Sequence, residues 1–288
     1  MLKYPIGIQS FEQIREDGYV YVDKTDLVYK LLTTGKIYFL SRRCVVLVDE
    51  YDKHLLDVLD TGYTIKVEGD SRLLEDWNRD VLKGFYSVFK AADADLQFVL
   101  LTGVTKFSQV SVFSGFNQPQ DISMDSRYDA LCGITQEELE KYFSEPIDAM
   151  AASYGESGVE MLARLKRQYD GYHFSEGMTD IYNPFSLLNT FAKQAFRNYW
   201  FASGTPTYLL RLLSHTDENL DELTGRYYSP EEFVDYKADV EKPLPMIYQS
   251  GYLTIKDYDR STTSFLLDFP NNEVKSGFVS LAASGFSK

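Results

Sequence analysis

The chain has 288 residues, 44% apolar and 25% charged, a balance that excludes disordered, collagen-like and coiled-coil classes and suits one large domain or two smaller ones. Its 29 Lys and Arg against 43 Asp and Glu leave a net charge of −14, which repels phosphate backbones and disfavours duplex nucleic acid as a partner. No apolar run approaches the roughly 18 residues that span a bilayer, the start MLKYPIGIQSFEQIRED lacks the apolar centre of a secretory signal, and two cysteines are too few for a disulfide framework, so a cytoplasmic protein is expected.

In chain order, residues 26–32 carry apolar side chains at helical spacing, with Gly35 as the stop. Residues 38–41 (YFLS) and 45–48 (VVLV) read as buried strands because neither alternates polar with apolar. A long amphipathic helix is expected over about 72–91, with Leu73, Leu74, Trp77, Val81, Phe85 and Val88 on its apolar side. Residues 96–101 (LQFVLL) make another buried strand, ended by Thr102-Gly103.

From residue 135 the pattern turns to helix after helix. Thr135 with Glu138 is a capping box, Ser229-Pro230-Glu231-Glu232 starts another helix, and Asn183-Pro184 and Thr205-Pro206 read as two more starts. Residues 245–250 read as helix, 252–256 with 264–269 as a hairpin, and 273–281 as a last helix, an order that suggests a winged-helix-like module. The expected division is a core over 1–134 and a helical region over 135–288.

The sharpest chemical signal is VVLVDEYDK, residues 45–53, where an apolar run ends abruptly in Asp49-Glu50 with Asp52 just beyond. In an open parallel sheet ligands sit outside the carboxyl ends of strands. A carboxylate there can hold Mg²⁺ through water, and an adjacent Glu can polarise water against a γ-phosphate. A plain core strand ending in solvated acids has the same appearance. The run LLTGVTKFS, 100–108, sets Thr102, Thr105 and Lys106 after a second buried strand, where a polar sensor of a phosphate can sit; a strand closing in a glycine turn fits equally.

A phosphate loop of the form G-x-x-x-x-G-K-[ST] is missing. Gly35-Lys36 is followed by Ile37, and Lys30 stands where the first glycine belongs. Only Arg42-Arg43-Cys44 separate the runs 38–41 and 45–48, whereas parallel neighbours need a crossover of a dozen or more residues. One continuous strand, a tight antiparallel pair or a lost crossover would each satisfy the spacing, and two buried-type runs in tandem favour the lost crossover. Glu273-Val274-Lys275 matches half of a nuclease signature but follows a turn and opens a helix; His54, His173 and His215 have no metal-ligand spacing, and Cys44 and Cys132 have no partner base.

The stretches GIQSFEQIREDGYVYVDKT (7–25), KIYFLSR (36–42), VVLVDEYDK (45–53), LLTGVTKFSQVSVFSGFNQPQDIS (100–123), YDGYHF (169–174), YNPFSLLN (182–189), YWFASGTPTYL (199–209) and IYQSGYLTIKDYD (247–259) occur in this order. In them the sequence resembles the bacterial AAA-ATPase-like family, P-loop ATPases usually fused to a C-terminal PD-(D/E)XK nuclease-type domain. The resemblance implies an incomplete α/β P-loop NTPase-like parallel-sheet core and a helical, winged-helix-like region. It implies ATP and Mg²⁺ as cofactors, with Asp49 holding Mg²⁺ through water, Glu50 activating water, and Thr102, Thr105 and Arg42 contacting nucleotide. It also implies that the Walker A loop, its helix and the following strand are deleted between Arg43 and Cys44, and that the nuclease-type domain is missing. The expected outcome is a switch protein without hydrolysis, partnered by another protein or a nuclease-type domain. A non-catalytic interaction module and a truncated gene product are the alternatives.

Overall fold

The computed structural model describes residues 3–6, 8, 10–27, 44–106, 119–202, 222–234 and 243–285. The expected strand 38–41, Arg42 and the Thr205-Pro206 helix start lie outside the described residues, as does most of the expected helix 26–32. Among the described residues helices mix with small sheets, one of them parallel. Among the described residues no helix is long and apolar enough to cross a membrane.

Helix α1 (Phe11–Glu16) is capped by Ser10, whose hydroxyl accepts the Gln13 N–H at 3.2 Å. The expected strand at 45–48 forms as β1 (Cys44–Val48). After it come helix α2 (Lys53–Leu56), strands β2 (Thr64–Val67) and β3 (Asp70–Leu73), helix α3 (Leu74–Ala91) and strand β4 (Leu96–Leu101). Strands β1 and β4 pair in parallel, Val45 opposite Phe98 and Leu47 opposite Leu100. The 47 residues between them supply the crossover that a parallel pair requires, with α3 as its helix.

Three expectations are corrected here. Strand β1 is not buried on both faces, because Val45 is 54% and Leu47 68% exposed. The helix begins at Leu74, since Asp70–Leu73 pair with Thr64–Val67 as an antiparallel hairpin. Its turn is Glu68-Gly69, with φ of 53° and 100°, the left-handed pair that a two-residue hairpin turn demands. Finally, α3 buries Tyr86 and Phe89 with Leu82 against the core, while Val81, Phe85 and Val88 are half or more exposed. Two apolar stripes run side by side on this helix, and the core takes the one beside the expected one.

The second half opens with β5 (Ile134–Thr135) and α4 (Gln136–Tyr154), whose capping box forms as read: Thr135 Oγ1 accepts the Glu138 N–H at 3.2 Å and Glu138 accepts the Thr135 N–H at 2.9 Å. Helix α5 (Gly158–Tyr169), strand β6 (Ile181–Tyr182) and helix α6 (Pro184–Lys193) follow, with Asn183 accepting the Ser186 N–H at 3.1 Å. Then come α7 (Tyr199–Ala202), β7 (Arg226–Tyr228), α8 (Pro230–Phe233), α9 (Leu244–Gln249), β8 (Thr254–Asp259), β9 (Ser264–Asp268) and α10 (Asn272–Gly285). The expected hairpin is present as β8 and β9, and β7 joins it to give the antiparallel order β7-β9-β8.

Among the described residues, two apolar cores hold these elements. One gathers Leu55, Tyr86 and Phe89 with Met246, Ile255 and Phe265, so side chains from before and after residue 134 share it. The other lies among α4, α5 and α6 around Leu139, Phe143 and Phe191, and Tyr4, Val20 and Val22 of the N-terminal segment pack against it. The Lys24 ammonium reaches Glu138 at 2.6 Å, tying that segment to the start of α4.

Candidate functional site at the strand ends

The parallel pairing of β1 and β4 brings the two polar signals of the sequence to one place. The Thr102 N–H donates to Val48 O at 2.8 Å, and the Tyr51 N–H donates to Thr102 O at 2.9 Å. The ladder thus continues just past both strands. The Thr102 hydroxyl donates to Asp49 Oδ1, and the same oxygen accepts the Glu50 N–H at 3.0 Å. Asp49, Glu50 and Thr102 are all exposed. Glu50 has φ of 50°, a left-handed backbone that turns the chain after β1.

Thr105 takes a different position. It is buried, and its hydroxyl and N–H donate to Asp52 Oδ2 at 2.8 and 2.5 Å, while Asp52 Oδ1 accepts the Val104 N–H at 3.2 Å. The Tyr51 hydroxyl donates to Thr105 O at 2.6 Å. Gly103 sits beneath them: a Cβ there would lie 2.6 Å from the Tyr51 ring and 2.7 Å from Asp52 Oδ1. The structure therefore brings Asp49, Glu50 and Thr102 together at the surface and sets Thr105 in a buried latch behind them. Arg42 lies outside the described residues.

The sequence carries no signal for Gln249 and gives Asp52 no role beyond its place after Asp49-Glu50. Asp52 was legible as a third acid after an apolar run, but its partner 53 positions away was not. Gln249, on α9, accepts the Lys106 N–H at 2.7 Å and donates to Val234 O at 2.5 Å, joining the 102–106 loop to the end of α8. The Lys106 ammonium pairs with Asp121 at 2.7 Å. Burial alone would raise the Asp121 carboxyl; the hydrogen bonds from Lys106 and Ser123, with the Lys106 charge, together outweigh it and hold the carboxyl below the usual range.

Asp49 and Glu50 present two solvent-facing carboxylates beside one hydroxyl, which suits a Mg²⁺ that keeps most of its waters and takes its remaining ligands from a bound phosphate. Among the described residues no group of three or more His, Cys, Asp or Glu stands ready to enclose a metal directly. His173 is buried, with Nδ1 2.7 Å from Ile255 O and Nε2 2.7 Å from Asp180 Oδ1, so it clamps strand β8 to the 171–180 segment. Glu273 is buried at the start of α10 and accepts the Trp200 N–H at 2.9 Å; its E-x-K triplet lies on a helix rather than on a strand. A cavity of about 390 Å³ lies between α5, β8 and α10, lined by Lys166, Asp170, Lys256 and Lys275 among others, and none of the strand-end residues lines it.

These features define a mixed α/β protein with an acid-and-hydroxyl rim at the carboxyl ends of a parallel pair. The family model described as predicted AAA-ATPase, AAA-ATPase-like, matches the chain in two segments, residues 5–44 and 41–113. The "Uncharacterized protein in vnfD 5'region" of Azotobacter chroococcum mcd 1 is 38% identical over 379 aligned positions, covering 95% of this chain and 68% of the relative. No solved structure matches the chain significantly. The chain belongs to the predicted AAA-ATPase family.

Proposed function

We propose that this protein is a member of an ATP-driven switch family that keeps the Mg²⁺-facing and water-activating side of the nucleotide site and lacks the phosphate loop opposite it. In this reading Asp49 would hold Mg²⁺ through water, Glu50 would polarise the attacking water, and Thr102, hydrogen-bonded to Asp49, would report the γ-phosphate from the neighbouring strand. Thr105 acts behind them, by holding Asp52, rather than on the nucleotide; Arg42 would approach the phosphates from the head of the missing loop. The observation that carries the reading is the Thr102 to Asp49 hydrogen bond at the ends of two parallel strands. Two features support the loss of the loop: the family match divides at 41–44, and the alignment of 379 positions exceeds the 288 residues here. The β8–β9 hairpin between α9 and α10, with β7 added at its edge, supports a winged-helix-like C-terminal module, a platform for a protein partner or nuclease-type domain.

The chain as it stands is expected to show no ATP hydrolysis, because nothing in its sequence supplies the amide-lined loop and lysine that cradle phosphates. The test is a chimera in which the stretch of the Azotobacter relative between the positions aligned with Arg43 and Cys44 is restored. Hydrolysis that appears in the chimera and disappears with Glu50→Gln supports the reading. A chimera that binds ATP but turns over equally well with Gln at position 50 rejects the role of Glu50, and micromolar ATP binding by the unmodified chain rejects the loss of the site.

A further inference from the structure

The cavity between α5, β8 and α10 lies apart from the strand ends and collects cations in a chain of net charge −14. Its volume of about 390 Å³ falls within the roughly 300–1,000 Å³ of small-molecule sites. Among the described residues Lys166, Arg167, Lys256 and Lys275 line it, with Asp170, Asp180 and Asp268 as its acids. The segments that form its walls, 158–182 and 254–275, are described without a gap. Helix α5 belongs to one apolar core and β8 and α10 to the other, so the cavity sits on the seam between them.

The acids are largely engaged already. Asp180 Oδ1 lies 2.7 Å from His173 Nε2, and Asp180 Oδ2 accepts the Lys166 ammonium at 2.7 Å. Both Asp170 carboxylate oxygens are sealed from solvent, and the same ammonium stands 3.6 Å from Oδ2. Lys166 therefore divides its charge between two carboxylates. Asp268 accepts the Phe269 N–H at 2.7 Å. Arg167, Lys256 and Lys275 are then set against the carboxylate of Asp268 alone, and none of the three forms an ion pair among the described residues.

Lys256 is the sharpest case. Its ammonium donates to Gly171 O at 2.7 Å and to Pro270 O at 2.9 Å, which leaves one of its three N–H donors without an acceptor among the described residues. Burial pushes this ammonium below the usual lysine range, although Asp180, Asp170 and Asp268 all act in the other direction. A positive group held partly out of water by two carbonyls favours an anion beside it. The first turn of α10 adds to the field: Asn271 and Asn272 line the cavity, and the earliest N–H groups of a helix have no acceptor within it. Glu273, the acid of that turn, accepts the Trp200 N–H and does not line the cavity.

We infer that this cavity is a binding site for a small phosphate monoester, with Arg167, Lys256 and Lys275 holding the phosphoryl dianion and Phe269 and Pro270 walling its organic part. Three cations suit a dianion with several tetrahedral oxygens better than a carboxylate, which carries one charge on two oxygens. Arg167 supplies a planar fork, and the two lysines supply point charges. Arg167 stands on α5, Lys256 on β8 and Lys275 on α10, so the bound phosphate ties the two cores together. The inference is independent of the proposed function, because it involves neither Asp49 nor Mg²⁺.

The probes are inorganic phosphate and phenyl phosphate, each titrated onto the full chain by calorimetry without Mg²⁺ and at fixed ionic strength. One-to-one binding of both is expected, phenyl phosphate at least as tightly, with a rise in melting temperature as the site fills. Arg167→Gln with Lys275→Gln should weaken binding about tenfold or more. Both side chains are exposed, so this pair keeps the fold, and its melt without phosphate checks that. Absence of binding at millimolar phosphate, binding that the glutamine pair retains, or exclusion of phenyl phosphate overturns the inference. Acetate bound as tightly as phosphate also overturns it, by reducing the site to unspecific attraction for anions. Phosphate binding that Asp49→Asn abolishes overturns it as well, because the phosphate would then sit at the strand ends, in favour of the nucleotide reading.

Discussion

Asp52 takes both the backbone N–H and the hydroxyl of Thr105, 53 positions further along the chain, and both residues are buried. One carboxylate therefore fixes the loop after β4 against the loop after β1. Each Thr105 donor would otherwise be sealed from water without an acceptor. Replacing Asp52 with Ala leaves those donors and the Val104 N–H unmet, at a cost of about 2–4 kcal/mol. Asp52→Asn keeps one oxygen for Thr105 and turns an amide donor toward Val104, so about half that loss is expected. Urea midpoints at constant m-value measure both; equal, negligible losses would show that the latch contributes nothing.

Asp49 and Thr102 form the matching pair at the surface, and there the expectation reverses. Both are exposed, so water replaces either partner, and Asp49→Asn or Thr102→Val should change stability by about 0.5 kcal/mol or less. In the chimera with the restored segment the same substitutions should lower hydrolysis by about tenfold or more, because they act where Mg²⁺ and the γ-phosphate would meet. A large stability loss with hydrolysis unchanged would make the rim a structural feature.

Asp170 gives a pH dependence with a definite sign. It is buried at the end of α5, and burial pushes its carboxyl above the usual range, with the Lys166 ammonium 3.6 Å from Oδ2 offsetting part of the effect. A carboxyl that titrates higher in the folded protein than in the unfolded chain favours folding when protonated, so its ionisation costs stability at neutral pH. Asp170→Asn should therefore stabilise the protein at pH 7, by about 1 kcal/mol, with the advantage shrinking as pH falls toward 4. Thermal melts of both proteins across that range check the sign; a variant less stable at pH 7 would mean that the ionised carboxylate is favoured in the fold.

Local signals in the sequence translated well. The caps at Thr135, Asn183 and Ser229 all start helices, because a capping oxygen and the N–H that donates to it lie within three residues of each other. Strands β1 and β4 and the acids after β1 were equally legible as apolar runs with polar ends. What failed depends on distant partners or on a choice between equals. Leu82, Tyr86 and Phe89 and the stripe of Val81, Phe85 and Val88 have the same spacing, and only the position of the sheet decides which faces the core. Thr105 read as a surface sensor because Asp52, its buried acceptor, is remote in sequence. The bonds from Lys24 to Glu138 and from Lys106 to Gln249 span 114 and 143 positions, beyond any local pattern. The Glu68-Gly69 turn was a readable hairpin signal, masked by the polar strands beside it.

Two glycines with similar backbone conformation offer a controlled comparison. Gly171, with φ of 89°, lies where the Lys256 ammonium bridges Gly171 O and Pro270 O at 2.7 and 2.9 Å. A Cβ there would stand 2.5 Å from Pro270 O and 2.9 Å from Lys256 Nζ. Gly155, which ends α4 with φ of 67°, would meet nothing within 4 Å. Alanine in a left-handed backbone costs about 1–2 kcal/mol from its own sterics, and that is the whole expected cost of Gly155→Ala. Gly171→Ala must also displace backbone at Pro270 and break the lysine bridge that joins α5 to the turn before α10. Its loss should exceed that of Gly155→Ala by about 1–3 kcal/mol in parallel urea titrations. Equal losses would mean that the turn yields freely and that the bridge does not hold these segments together.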